Sequence, residues 1–179
     1  MALIEVLDAL PEDYARRGEV LELLQKDLDA IIKWQDKKTG TWYQVMDAPE
    51  RAGNYLESTA TSMFAYVLLK AYNKGYLGEK YLHAGIKAYK GIIDNFIRVN
   101  GDKTISLTQC CAVAGLGPGM SPSVQKAAPK VKENRKRDGS FAYYLSEPIR
   151  DNDAKGVGPF IWASLEMEQL GYDVYSFYK

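Results

Sequence analysis

The stretch GTWYQVMDAPERAGNYLESTATSMFAY, Gly40 to Tyr66, decides the fold. It runs from an aromatic turn through a short polar loop into a segment where Ala60, Met63, Phe64, Ala65, Val67, Leu68, Leu69 and Ala71 leave almost no polar side. A helix that is apolar all round is a buried helix, so the pattern predicts an enclosed helix over Tyr55 to Tyr72. Asn54 precedes it and Glu57 follows three residues later. That is the spacing of a capping box with Asn in place of Ser or Thr, and it sets the expected start of the helix.

The flanking segments read differently. From Arg16 to Trp34, Val20, Leu24, Leu28, Ile31 and Trp34 recur near helical spacing among charged residues, which predicts a helix with one buried stripe. From Glu79 to Arg98, Leu82, Ile86, Tyr89, Ile93 and Phe96 form a similar stripe flanked by Lys80, Lys87, Lys90 and Asp94. Alternation of one-sided and all-round apolar helices is what two concentric helical layers require. The expected fold is therefore all-α, an α/α toroid or part of one, with residues 1–179 as a single domain. The opening MALIEVLDALP reads as the second half of a helix. Short strands are expected at Thr104 to Leu107 and Phe141 to Leu145, as hairpins in long loops. Gly158-Pro159 is the expected start of a last helix that stops at Gly171.

Lys plus Arg and Asp plus Glu both total 23, so no net field recruits nucleic acid or an anionic membrane. Apolar runs fall well short of the roughly 20 residues that cross a bilayer. No basic, then apolar, leader is recognisable, and the absence of a paired-cysteine pattern makes cytoplasm the expected compartment. Cys110 and Cys111 are adjacent and read as buried core thiols, and with His83 as the one histidine no His-based metal site is expected. The lysine-rich segment Gln125 to Arg137 reads as a solvated loop or short surface helix rather than a polyanion site.

Trp42 and Tyr43 follow Gly40 in a turn where large aromatics need either a ligand or a packing partner. Aromatic faces stack on sugar rings while neighbouring polar groups bind hydroxyls, so the pair serves a sugar or plugs the end of the fold. Glu57 caps the inner helix and lines any cavity at its N-terminus. In RDGSFAYYLSEP and NDAKGVGPF, Asp138 sits in a turn, Tyr143 belongs to an aromatic run, and Lys155 either meets a substrate carboxylate or is an exposed loop lysine. No carboxylate pair is marked by spacing as an acid and base.

At these residues the chain resembles the C-terminal half of the unsaturated uronyl hydrolases, glycoside hydrolase families 88 and 105, and within them the unsaturated rhamnogalacturonyl hydrolase type. The resemblance rests on WYQVMDAPERAGNYLESTATSMFAY, KAYNKGYLGEKYLHAGIKAYKGI, CCAVAGLG and RDGSFAYYLSEPIRDNDAKGVGPFIWASLEME, which together cover nearly the whole chain. It implies about half of an (α/α)6 barrel with short β-hairpins in its loops. The implied substrate is a pectin-derived oligosaccharide ending in an unsaturated uronate. The implied reaction is protonation of the C4=C5 enol ether by an aspartic acid, water addition at C5, and opening of the hemiketal to release the neighbouring sugar, without metal or cofactor. The family's catalytic aspartate belongs to its N-terminal half, so that role is not transferred to Asp47, Asp138, Asp151 or Asp153, and the chain alone is expected to be inactive. What transfers is one wall of the pocket: Trp42, Tyr43, Glu57, Asp138, Tyr143 and Lys155, as substrate-binding candidates. Expected partners are a second copy or a separately encoded N-terminal half. The rival reading is a non-catalytic helical module that binds carbohydrate or protein.

Overall fold

The computed structural model describes residues 1–117, 137–173 and 176. Most of the lysine-rich segment lies outside them. Among the described residues the helices are α1 (Ala2–Ala9), α2 (Arg17–Lys33), α3 (Ser58–Asn73), α4 (Glu79–Phe96), α5 (Phe141–Ser146) and α6 (Ala154–Gln169). Three two-stranded antiparallel ribbons join them: β1 (Trp42–Tyr43) with β2 (Leu56–Glu57), β3 (Ile97–Val99) with β4 (Ile105–Leu107), and β5 (Cys110–Cys111) with β6 (Ile149–Arg150). None of these helices is long and apolar enough to cross a membrane.

The layering follows the apolar patterns. Helix α2 buries the single stripe Leu24, Leu28 and Ile31, and α4 buries Tyr81, Ala84, Ala88, Ile92 and Phe96. No residue of α3 is exposed, because α4 and α6 are its main packing partners and α1 adds to the enclosure. The α3–α4 approach is close at Gly85, where an added Cβ would lie 2.9 Å from Leu69 Cγ. Around the Lys70 ammonium, Glu5 accepts at 3.0 Å, Asp8 at 2.9 Å and the Tyr66 hydroxyl at 2.9 Å, which ties α1 to α3. Burial opposes ionisation of Glu5 and Asp8. Hydrogen bonds from Tyr66 and Lys70 to Glu5, and from Lys70 and Tyr76 to Asp8, outweigh it and hold both carboxyls below their ordinary values. Burial and the Glu5 carboxylate raise the Tyr66 hydroxyl to about 12.

Several expectations from the sequence are corrected. Helix α3 begins at Ser58 with Glu57 as its N-cap. Asn54 instead ties up the preceding loop, accepting from Val45 N and donating to the Val45 and Ala48 carbonyls. The chain between them stays extended because Leu56 and Glu57 pair with Tyr43 and Trp42.

Phe141 to Leu145 is a helix, not a strand. Ser140 Oγ caps it by accepting from Tyr143 N at 3.1 Å. Phe141 packs under the Arg51 guanidinium, and Leu145 lies close enough to Gly53 that an added Cβ there would be 3.2 Å from its Cδ1, so two side chains that are neighbours on one helix face meet one loop.

The last helix starts at Ala154, capped by Asp153, and Pro159 lies inside it beyond the first turn. Trp34 ends α2 as its C-cap and is 39% exposed rather than part of the buried stripe.

An apolar face is left uncovered on α6, where Ile161, Trp162 and Leu165 are each about half exposed.

Candidate functional site

The N-terminal ends of α3 and α6 converge on β5. Glu57 is 2% exposed, and its carboxylate accepts from three backbone N–H groups: Thr59 at 2.9 Å, Ala60 at 2.6 Å and Cys111 at 2.8 Å. One side chain therefore caps α3 and fastens β5 to it, with the helix dipole favouring its negative charge. Gly156 of α6 packs against this junction so closely that an added Cβ would lie 3.1 Å from Cys110 Sγ and 3.3 Å from Thr59 Oγ1.

Trp42, paired with Glu57 in the β1–β2 register, is fully buried. Its indole Nε1 donates to the Ile31 carbonyl at 2.8 Å, and its ring meets Phe64 edge-on at 5.1 Å. All of its surface is occupied by the chain itself.

Tyr55 and Cys111 lie beside Glu57. The Tyr55 hydroxyl is sealed from solvent with no partner of ordinary hydrogen-bond geometry among the described residues. Burial, then the Cys111 thiol and the Glu57 charge, push it far above the ordinary tyrosine value. Burial likewise raises the Cys111 thiol. Both cysteines are free and buried, as the sequence implies.

On the other side of β5, Tyr143 is buried, and its hydroxyl accepts from Gly115 N at 3.1 Å. Burial and then the Glu147 carboxylate raise it. Asp138 is exposed and accepts from Ser140 N at 2.9 Å, holding the turn that leads into α5. Lys155 is 51% exposed at its side chain and its ammonium lies 2.6 Å from Asp153 Oδ1. That hydrogen bond, aided by Arg150 at 3.5 Å, keeps the Asp153 carboxyl below its ordinary value.

Glu57 and Tyr143 thus bond to the segment 110–115, Lys155 precedes the Gly156 that packs on it, and Asp138 stands at its edge through the Gly117–Arg137 bridge. Tyr43 points to a different place. It lines an open cleft with Trp34, Lys33, Lys37, Met46 and Pro49. Sequence reasoning missed Tyr55 and Asp153. Asp directly before a helix is a strong cap signal, but the Gly-Pro pair downstream obscured it. Nothing local marks Tyr55, whose burial depends on Cys111 far along the chain. His83 is exposed on α4, and no group of His, Cys, Asp and Glu suited to a metal ion occurs among the described residues.

The model of Glycosyl Hydrolase Family 88 matches residues 1–171. The chain belongs to that family. A family 105 glycoside hydrolase from C. acetobutylicum is 43% identical with a TM-score of 0.81, over 94% of this chain and 42% of that one. The helices and ribbons described above are therefore part of an α/α toroid. A possible family 105 member from Klebsiella pneumoniae is 25% identical with a TM-score of 0.70, over 96% of this chain and 38% of that one. A 24.9 kDa protein in the picA locus of Rhizobium radiobacter is 38% identical over 170 residues, which is 93% of this chain and 66% of that protein. This family 88 chain therefore spans less than half the length of the solved relatives and about two thirds of the curated one.

Proposed function

We infer that these residues form one wall of the pocket of an unsaturated rhamnogalacturonyl hydrolase, which hydrates the C4=C5 bond of a terminal unsaturated uronate, with the proton donor on polypeptide outside them. The observation that carries this reading is the engagement of the two buried carboxylates at the pocket end, Glu57 and Asp153. A general acid works best with a pKa near the operating pH. Glu57 is engaged by three N–H groups, and Asp153 is held ionised beside Lys155. Both are committed to the fold, and Asp153, in its ionised form, has no proton to give. Lys155, Tyr143 and Asp138 remain as binding groups, with Lys155 able to exchange Asp153 for the substrate carboxylate.

Calorimetric titration with an unsaturated galacturonyl-rhamnose disaccharide is the test. Binding is expected, and it should weaken about tenfold in Lys155→Ala, the loss of one charge-assisted hydrogen bond. Failure of the disaccharide to bind at all contradicts the assignment and favours a module for other ligands.

The exposed face of α6 is the second support. Ile161, Trp162 and Leu165 lie together, and Trp162 leans on Tyr66 at 5.3 Å between ring centroids. Contiguous apolar surface of this kind marks an interface. Its occupant in this reading is polypeptide equivalent to the portion of the family 105 chain that these residues do not cover. Without that polypeptide, the residues should bind an apolar dye and associate as concentration rises, as followed by light scattering. Trp162→Glu should suppress both effects. A dye-negative monomer at high concentration contradicts the proposed ring.

A further inference from the structure

We propose that the cleft at the C-terminal end of α2 is a second carbohydrate site, distinct from the pocket wall, that holds a uronate residue of a longer acidic oligosaccharide. Its volume is about 240 Å³. Pockets for drug-sized ligands begin near about 300 Å³, so the cleft suits one sugar ring and leaves the rest of the chain on the surface.

The lining fits that ligand in three respects. Trp34 and Tyr43 supply aromatic surface, with Met46 and Pro49 completing an apolar floor. Trp34, at 39% exposed, offers ring area to a sugar that Trp42 cannot. Lys33 and Lys37 stand at the rim without an ion-pair partner among the described residues. The Lys33 ammonium lies over the Trp34 ring, 5.3 Å from its centroid, which puts a cation next to the aromatic surface of the cleft.

The other polar lining residues are occupied by the fold. The Gln35 amide donates to the Gly40 and Ala84 carbonyls. Asp36 Oδ1 accepts from Lys38 N, Thr39 N and Thr39 Oγ1. The Lys87 ammonium donates to the Asp36 and Lys37 carbonyls, bringing a further positive charge to the cleft. Asp47 and Glu50 belong to the nearby loop but do not line it. The Asp36 carboxylate, held ionised by its bonds to Thr39 and Lys38, is one negative charge in the lining against the two rim lysines, so the balance stays positive and selects a carboxylated sugar over a neutral one.

The choice of a uronate rests on the substrate class inferred above, and a saturated ligand separates the two claims. A saturated galacturonate oligomer has no C4=C5 bond, so its binding reports docking and not the reaction. Calorimetry should show the oligomer binding the full chain more tightly than a neutral galactose oligomer does. Trp34→Ala and the double variant Lys33→Ala/Lys37→Ala should each weaken it about tenfold, with the affinity falling as salt rises. Binding of the unsaturated disaccharide at the first site should be unchanged in both variants. The lysine variant leaves the packed core intact, so its effect stands even if Trp34→Ala lowers stability. Equal affinity of parent and both variants, or no binding of the saturated oligomer by the parent, overturns the proposal.

Discussion

Trp42→Ala is expected to lower the free energy of unfolding by about 3–5 kcal/mol, the range for truncating a large buried aromatic. The side chain is fully enclosed, and three segments converge on it: the end of α2 through the Ile31 carbonyl, α3 through Phe64, and β2 through its backbone register. Removing the indole leaves a cavity and takes one of two donors from that carbonyl, which keeps the Trp34 N–H at 3.1 Å, at the point where α2 turns into the aromatic loop. Urea denaturation should show a lower midpoint with an unchanged slope. A loss below about 1 kcal/mol would mean that Trp42 is not the plug the packing implies, and would return it to consideration as a sugar-stacking residue.

Glu57→Ala should cost a comparable amount, about 3 kcal/mol or more, since three buried N–H groups lose their acceptor and each unsatisfied donor is worth about 1–3 kcal/mol. The loss should be local as well as global. The Cys111 amide donates only to Glu57 among its described partners, so its hydrogen exchange should accelerate in the variant ahead of amides within α3. Glu57→Gln keeps the shape and one acceptor oxygen and should fall between. Wild-type stability and unaltered exchange at Cys111 in Glu57→Ala would contradict the reading of this carboxylate as the pin between α3 and β5.

Much of this architecture is legible in the chain. The contrast between the stripes of α2 and α4 and the all-round apolar α3 predicts which helices face solvent, because periodicity records burial directly. The boundaries are less legible, for reasons particular to each. Asn54 and Glu57 have capping-box spacing, yet Leu56 and Glu57 are held extended by pairing with β1, so tertiary hydrogen bonds decide where the helix starts. Alternating aromatics in Phe141 to Leu145 imitate a strand, whereas the Ser140 cap and the packing of Phe141 and Leu145 on the loop at Arg51 to Gly53 favour the helix.

The site shows the same division. Composition and spacing single out Trp42, Tyr43, Glu57 and Lys155 as candidates. That Trp42 turns inward while Tyr43 joins Trp34 in a cleft depends on Ile31, Phe64 and the end of α2. No local pattern encodes such contacts between segments distant in sequence. The apolar face on α6 is not legible in its own segment. α3 is enclosed by α1, α4 and α6, and the uncovered edge passes to the last helix.

The most direct measurement is the ultraviolet absorbance of an unsaturated galacturonyl disaccharide incubated with these 179 residues at a concentration where calorimetry shows it bound. Constant absorbance while the ligand is held is the expected result: a pocket wall without its proton donor. Steady loss of the double-bond signal, abolished by replacing a carboxylate within the chain, would place the acid here and contradict the account.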